Sequence, residues 1–211
     1  MYKLIAFDLD GTIAETFPVI LASFRQIVLR YTGRQVTDQE ILATFGANEV
    51  GMLHQLIPNP PSDALEQFYQ QYRQNHRQLT APFPGILNLL KVLKTHQIRT
   101  PLVTGKGEIS CQISLASLKL TGQFAPILTG SAKGPNKAAN FKKLLNQYQL
   151  SPSQMAYVAD TVGDINACQE VGINCYSAAW SVDANADRLR QFNPNVFISP
   201  DELVDHLLKR L

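Results

Sequence analysis

The sequence predicts an α/β fold: a Rossmann-like, mostly parallel sheet with helices on both faces, plus a small all-helical cap inserted after the first strand. Three observations predict it. Short apolar runs that end in Asp, Gly or Thr alternate with segments of helical period, as strands and covering helices do. The alternation breaks once, between residues 16 and 79, where helical patterns follow one another without a convincing strand. Hydrophobic residues make up 45% of the 211 and charged residues 17%, a composition able to bury both faces of a sheet.

The elements follow in order. Tyr2–Phe7 is an apolar run that ends at a cluster of Asp and Gly, the pattern of a buried strand feeding a loop. Helices are expected over Pro18–Tyr31, over Thr37–Phe45 with Thr37 or Asp38 as cap, and over Asn48–Ile57. The loop Pro58-Asn59-Pro60-Pro61 stops the chain. Ser62 or Asp63 then opens a fourth helix, with Glu66 placed to complete a capping box after Asp63. Its polar tail, Gln70–Gln78, reads as a solvated face. Pro82-Phe83-Pro84-Gly85 marks the return to the sheet domain. Further strands are expected at Ile98–Thr104, Pro126–Thr129, Met155–Ala159, Ile173–Ser177 and Val196–Ile198. Between them run helical stripes such as Ile86, Leu89, Leu90, Leu93 and Phe141, Leu144, Leu145, Tyr148. The expected division is therefore a core of residues 1–15 and 80–211 and a cap of residues 16–79.

Composition excludes several classes of function. A net charge of +2 with scattered Lys and Arg argues against nucleic acid, and no apolar run reaches membrane-spanning length. Three cysteines without C-x-x-C spacing argue against a disulfide framework or a zinc site, and buried reduced thiols are expected. No charged segment followed by a long apolar stretch precedes the first strand, so a cytoplasmic protein is expected.

Four constellations carry chemistry. Asp8-Leu9-Asp10-Gly11-Thr12 follows the first strand directly, and open parallel sheets bind ligands beyond the carboxyl ends of their strands. Two carboxylates there are costly unless they hold a cation or react. A calcium-binding EF-hand is set aside, because a strand precedes the loop and Phe17-Pro18-Val19 stand where oxygen ligands belong. Asp160-Thr161-Val162-Gly163-Asp164 repeats the pattern after a second strand. Asp8 and Asp160 could supply the one or two carboxylates Mg²⁺ takes beside a phosphate. Asp164 fits a helix cap or first-turn acid nearly as well as a metal ligand.

Thr104 ends a third strand, where its hydroxyl and the backbone amides of Gly105 and Lys106 could meet a phosphoryl group. Gly105-Lys106-Gly107-Glu108-Ile109-Ser110 approaches a dinucleotide fingerprint, but Ser110 replaces the third Gly and the motif sits on a middle strand. The fourth is Lys133-Gly134-Pro135-Asn136-Lys137, where a lysine could neutralise crowded negative charge. A Walker A loop is absent.

Together, in this order and each at a strand end, these motifs resemble the haloacid dehalogenase-like superfamily. Within it they resemble the phosphoglycolate phosphatase-like group with a helical C1 cap. The resemblance spans the chain, including Trp180-Ser181 and the closing Ile198-Ser199-Pro200-Asp201-Glu202-Leu203. It implies that Asp8 is the nucleophile and forms an aspartyl phosphate, and that Asp10 is the general acid and base. Thr104 matches the second-motif hydroxyl. Lys137 is the best match for the third-motif lysine, with Lys133 the alternative. Asp160, with Asp164 as a further candidate, would bind Mg²⁺ together with the Asp8 side chain and the Asp10 backbone carbonyl.

Gly11, Thr12, Gly105, Lys106, Phe45 and Asn48 are the expected substrate contacts. The last two lie in the loop Phe45-Gly46-Ala47-Asn48, which is equally an ordinary helix–helix turn. Three residues depart from the family pattern: Ala159 where Gly is frequent, Glu15 near a usual Asp, and Ser181 where Gly is frequent. The acid at Asp10 favours ester hydrolysis over dehalogenation. The implied function is a Mg²⁺-dependent phosphatase acting on a small-molecule phosphate monoester, as a monomer or weak dimer. A phosphosugar mutase, an inorganic or organic pyrophosphatase, and a non-catalytic phospho-ligand-binding protein are the alternatives.

Overall fold

The computed structural model describes residues 1–210. Six parallel strands form one sheet in the order β3-β2-β1-β4-β5-β6. They are β1 (Leu4–Phe7), β2 (Leu102–Val103), β3 (Ile127–Leu128), β4 (Met155–Ala159), β5 (Asn174–Ala178) and β6 (Val196–Phe197). All six expected strands are present, but β2 is shorter than Ile98–Thr104. Pairing with β1 still begins at Arg99, where Ile5 N–H donates to its carbonyl, and Phe7 N–H donates to Pro101 O. Pro101 has no N–H to give back, which interrupts the regular ladder.

β1 and β4 show why the strands read as continuous apolar runs. On β1, Ile5 and Phe7 enter one core while Leu4 and Ala6 enter the other. On β4, Ala156 and Val158 face the first, and Met155, Tyr157 and Ala159 the second. Helices cover both faces. The first core takes residues of α5 (Ile86–Thr95), α6 (Glu108–Ser117) and α10 (Pro200–Leu208). The second takes residues of α7 (Lys137–Tyr148), α8 (Val162–Val171) and α9 (Ala186–Arg190). Cys111, Cys168 and Cys175 are free and buried in these cores.

The insert after β1 consists of α1 (Phe17–Thr32), α2 (Asp38–Leu42), α3 (Glu49–Leu56) and α4 (Ala64–His76). It has its own apolar core, built on Phe24, Ile27, Val28, Ile41, Leu53 and Phe68. Thr37 caps α2 in a full capping box with Glu40. The capping box expected at Asp63 does not form: Asp63 has αR backbone angles (φ −88°, ψ −7°), and its side chain accepts no helix amide.

The tail of α4 also differs from expectation. Gln70, Arg73, Gln74 and Arg77 are solvated, but Tyr72 and His76 are fully buried. Phe68, Tyr72 and His76 recur at every fourth position and form an inner stripe, masked in the sequence by glutamines on the other faces. His76 Nε2 lies 2.9 Å from Ser114 Oγ on α6 and 3.1 Å from Tyr72 OH, so the stripe joins the insert to the sheet domain.

Candidate active site

Asp8, Thr104 and Asp160 follow β1, β2 and β4, three neighbouring strands in the sheet. Their shared end therefore gathers the groups that the chain spreads over more than 150 positions. Carboxylate oxygens of Asp8, Asp160 and Asp164 all lie within 4.8 Å of one another. Lys137, at the start of α7, reaches into this group. Its Nζ is 2.8 Å from Asp8 Oδ2 and 2.5 Å from Asp164 Oδ1. Lys133 is exposed, so of the two candidate lysines it is Lys137 that meets Asp8.

The electrostatics follow from burial. Asp8 is 5% exposed. Burial pushes its carboxyl up from 3.8 to about 6, Lys137 pulls against this, and Asp164 and Asp10 add to it. Asp160 is raised well above the ordinary value by burial, then by Asp8 and Asp164. Burial would lower Lys137, but Asp164 and Asp8 hold it above the ordinary lysine value. One ammonium thus faces three carboxylates, and a hard divalent cation fits the remaining negative charge and the all-oxygen donor set. Asp164 is a first-turn acid of α8 as well as a member of the cluster. Thr161 is the cap of that helix, and its hydroxyl donates to Asp164 Oδ2 at 2.5 Å.

Asp10 stands apart from the three. Its carboxylate accepts from Thr16 Oγ1 and pairs with Lys106 Nζ at 3.1 Å. Lys106 is buried and lies over the Tyr72 ring at 4.8 Å. Burial would lower Lys106, yet Asp10 and Tyr72 hold it protonated, above the ordinary lysine value. Lys106, one of the expected substrate contacts, has its ammonium paired with Asp10.

Gly105, Lys106, Phe45 and Asn48 line the cavity above the carboxylates, together with Asp8, Asp10, Lys137, Asp160 and Asp164. Asn48 also caps α3, accepting from Val50 and Gly51 N–H, and donates to Gly130 O at 3.3 Å. Gly11, Thr12 and Thr104 are not on the wall. Gly11 has φ +67°, and a Cβ there would lie 2.2 Å from Asp160 Oδ2. Thr12 Oγ1 donates to Asp160 Oδ1 at 3.4 Å. Thr104 is fully buried, its hydroxyl accepting from Lys106 N–H at 3.2 Å. Within the near-fingerprint Gly105–Ser110, Gly107 N–H already donates to Glu49 Oε2 at 2.7 Å and so is not free to receive a pyrophosphate.

Glu49 is the principal residue the sequence reading missed. It reaches from the insert into the sheet domain, is 4% exposed, and also accepts from Tyr69 OH at 3.0 Å. As the acid following Asn48 it reads as ordinary helix-start chemistry, so no local signal marks it. The departures from the family pattern also find places. Ser181 Oγ and Val182 N–H both donate to Glu15 Oε2, and Trp180 Nε1 donates to Thr12 O at 2.9 Å. The two unusual residues Glu15 and Ser181 are thus partners. Ala159, which stands where Gly is frequent, is the last residue of β4, and its methyl lies in the second core.

The family model of haloacid dehalogenase-like hydrolases matches residues 5–178. The chain belongs to this family. A phosphoglycolate phosphatase of Pseudomonas fluorescens is 28% identical over 192 residues, covering 84% of this chain and 70% of the relative. The pyrophosphatase PpaX of Bacillus pumilus is 26% identical, covering 84% and 83%. Among solved structures, a predicted phosphoglycolate phosphatase from Haemophilus somnus superposes with a TM-score of 0.78 at 19% identity, covering 98% of each chain. CbbY from Rhodobacter sphaeroides, in complex with phosphate, gives 0.77 at 18% identity over 96% of each. The haloacid dehalogenase-like fold and membership of a hydrolase family are thereby established. Among the described residues, no helix is long and apolar enough to cross a membrane.

Proposed function

We propose that this haloacid dehalogenase-like hydrolase is a Mg²⁺-dependent phosphatase that cleaves a small phosphate monoester through an aspartyl phosphate on Asp8. The observation that carries the reading is the meeting of Asp8, Asp160 and Asp164 around Lys137, with a second acid, Asp10, on the same cavity wall. Asp8 attacks phosphorus, and the leaving oxygen takes a proton from Asp10. Asp10 then accepts a proton from water as the acyl phosphate is hydrolysed. Lys106 and Thr16 both hold Oδ1 of its carboxyl group in place, which leaves Oδ2 to give up and regain the proton. Lys137 orients Asp8 and offsets charge as the phosphoryl group arrives.

Asp8, Asp160 and Asp164, with the Asp10 backbone carbonyl, would hold Mg²⁺. When bound, the ion screens the phosphate from the carboxylates and orients it. Thr104, Gly11 and Thr12 support this arrangement from behind the wall. The helices of residues 16–79 act as a cap that excludes water during transfer. The non-catalytic alternative would rest on Ala159, the departure from the family pattern next to the metal loop, and its methyl lies in the core and not on the cavity wall.

Phosphate release from p-nitrophenyl phosphate tests the proposal. It should require Mg²⁺ and vanish in Asp8→Asn. Wild-type turnover in that variant would refute the nucleophile assignment.

A further inference from the structure

The cavity is large for the chemistry at its floor. It measures about 760 Å³, a size that holds molecules well beyond a phosphate with a two-carbon remainder. Floor and roof differ sharply. The roof is supplied by the cap and is apolar: Phe17, Ile20, Phe24, Phe45, Met52 and Phe68. Phe17 and Phe45 stack with centroids 6.0 Å apart and planes 18° off parallel, and Phe45 is 39% exposed, the most accessible of the six. The polar cap groups on the wall, Asn48 and Glu49, are already hydrogen-bonded to backbone amides.

Charge on the wall is equally one-sided. The cations lining it are Lys106 and Lys137, and both are bound to carboxylates of the floor. Among the described residues, no Arg or His lines it. The acids are Asp8, Asp10, Glu49, Asp160, Asp164 and Glu170. Even with a bound Mg²⁺ counted beside the two lysines, the six acids leave the wall negative. A second anionic group on the substrate would then have to shed its water against aromatic rings, with no free side-chain cation among the described residues to receive it. An apolar body would instead bury its surface against the accessible rings of Phe17 and Phe45, which are backed by Ile20, Phe24, Met52 and Phe68 of the cap's own core.

We propose that the substrate is the phosphate monoester of an apolar, uncharged alcohol or phenol, and that esters carrying a second anionic group are disfavoured. This rests on the phosphatase reading above and deepens it. It also separates this protein from what the names of its relatives imply, since phosphoglycolate carries a carboxylate and pyrophosphate a second phosphate.

The test compares benzyl phosphate with 2-phosphoglycolate and pyrophosphate, in Mg²⁺, on the 211-residue protein. Benzyl phosphate and 2-phosphoglycolate both release an alcohol, so leaving-group type does not decide the outcome. The expected result is a kcat/KM for benzyl phosphate about tenfold or more above that for 2-phosphoglycolate. Met52→Arg, which places a cation on the roof, should narrow that ratio by raising the 2-phosphoglycolate value. If that variant does not fold, the wild-type comparison decides alone. Equal or faster hydrolysis of 2-phosphoglycolate or pyrophosphate overturns the assignment and leaves the phosphatase reading standing. Hydrolysis of none of the three, nor of p-nitrophenyl phosphate, sinks the phosphatase reading. Calorimetry on Asp8→Asn protein with Mg²⁺ then decides the ligand class: tighter binding of benzyl phosphate supports it, and tighter or equal binding of 2-phosphoglycolate overturns it.

Discussion

Replacing Asp8 by Asn should destroy activity and, in the metal-free protein, increase stability. The wild-type carboxylate is buried among like charges, and its pKa rises from 3.8 to about 6 despite Lys137 beside it. Between those values the folded protein holds a proton that the unfolded chain has released, so stability falls as pH rises through that window. Above pH 6 the ionised group costs the fold about 3 kcal/mol; below 3.8 it costs nothing, because both states are protonated. Asn keeps the shape and can still accept from Leu9 N–H, which is 2.8 Å from Asp8 Oδ1. Its NH₂ then replaces the oxygen 2.8 Å from Lys137 Nζ and faces that ammonium donor to donor, which takes back part of the gain. Lys137 retains Asp164 as a partner. Denaturant unfolding with chelator present should therefore show Asp8→Asn more stable than wild type at pH 8, by about 2 kcal/mol and at most about 3. The difference should shrink to near zero by about pH 4. An Asp8→Asn protein that is no more stable at pH 8, or a difference independent of pH, would refute the reasoning.

Three further outcomes follow from the same geometry. Mg²⁺ should raise the unfolding free energy by about 2.7 kcal/mol at one hundred times its Kd, an increment that chelation reverses and Asp8→Asn blunts in thermal melts. Gly11→Ala combines a left-handed backbone with a Cβ 2.2 Å from Asp160 Oδ2, so it should cost about 2–4 kcal/mol and weaken Mg²⁺ binding in titration calorimetry. Glu49→Ala leaves the buried Gly107 N–H without its 2.7 Å acceptor; a loss of about 1–3 kcal/mol and faster amide exchange at Gly107 are expected, and unchanged protection would count against the cap–core link.

The strands were legible because burial on both faces leaves short apolar runs, and these end at residues that cannot continue a strand. Leu4–Phe7 and Met155–Ala159 are such cases, and the Asp that follows each marks the ligand end of the sheet. The cap helices were legible from period and caps, as at Thr37 and Asn48. Asp63 was misread because a capping box needs extended backbone at the cap, and neighbouring turns imposed αR there. The polar tail of α4 was misread because its buried stripe is narrow. Tyr72 and His76 look like two residues among glutamines until α6 packs over them.

By itself the sequence determined the order of elements and the acids at two strand ends, since hydrophobic period and strand-end position are local properties; the class of chemistry it implied came from the resemblance of its motifs to a family. Only the tertiary structure decided which lysine meets Asp8, because that contact joins residues 129 positions apart. It also decided that Lys106 serves Asp10, that Glu49 ties cap to core, and that the cavity has an apolar roof over a charged floor. Each depends on where separate helices come to rest against the sheet, which no local pattern records.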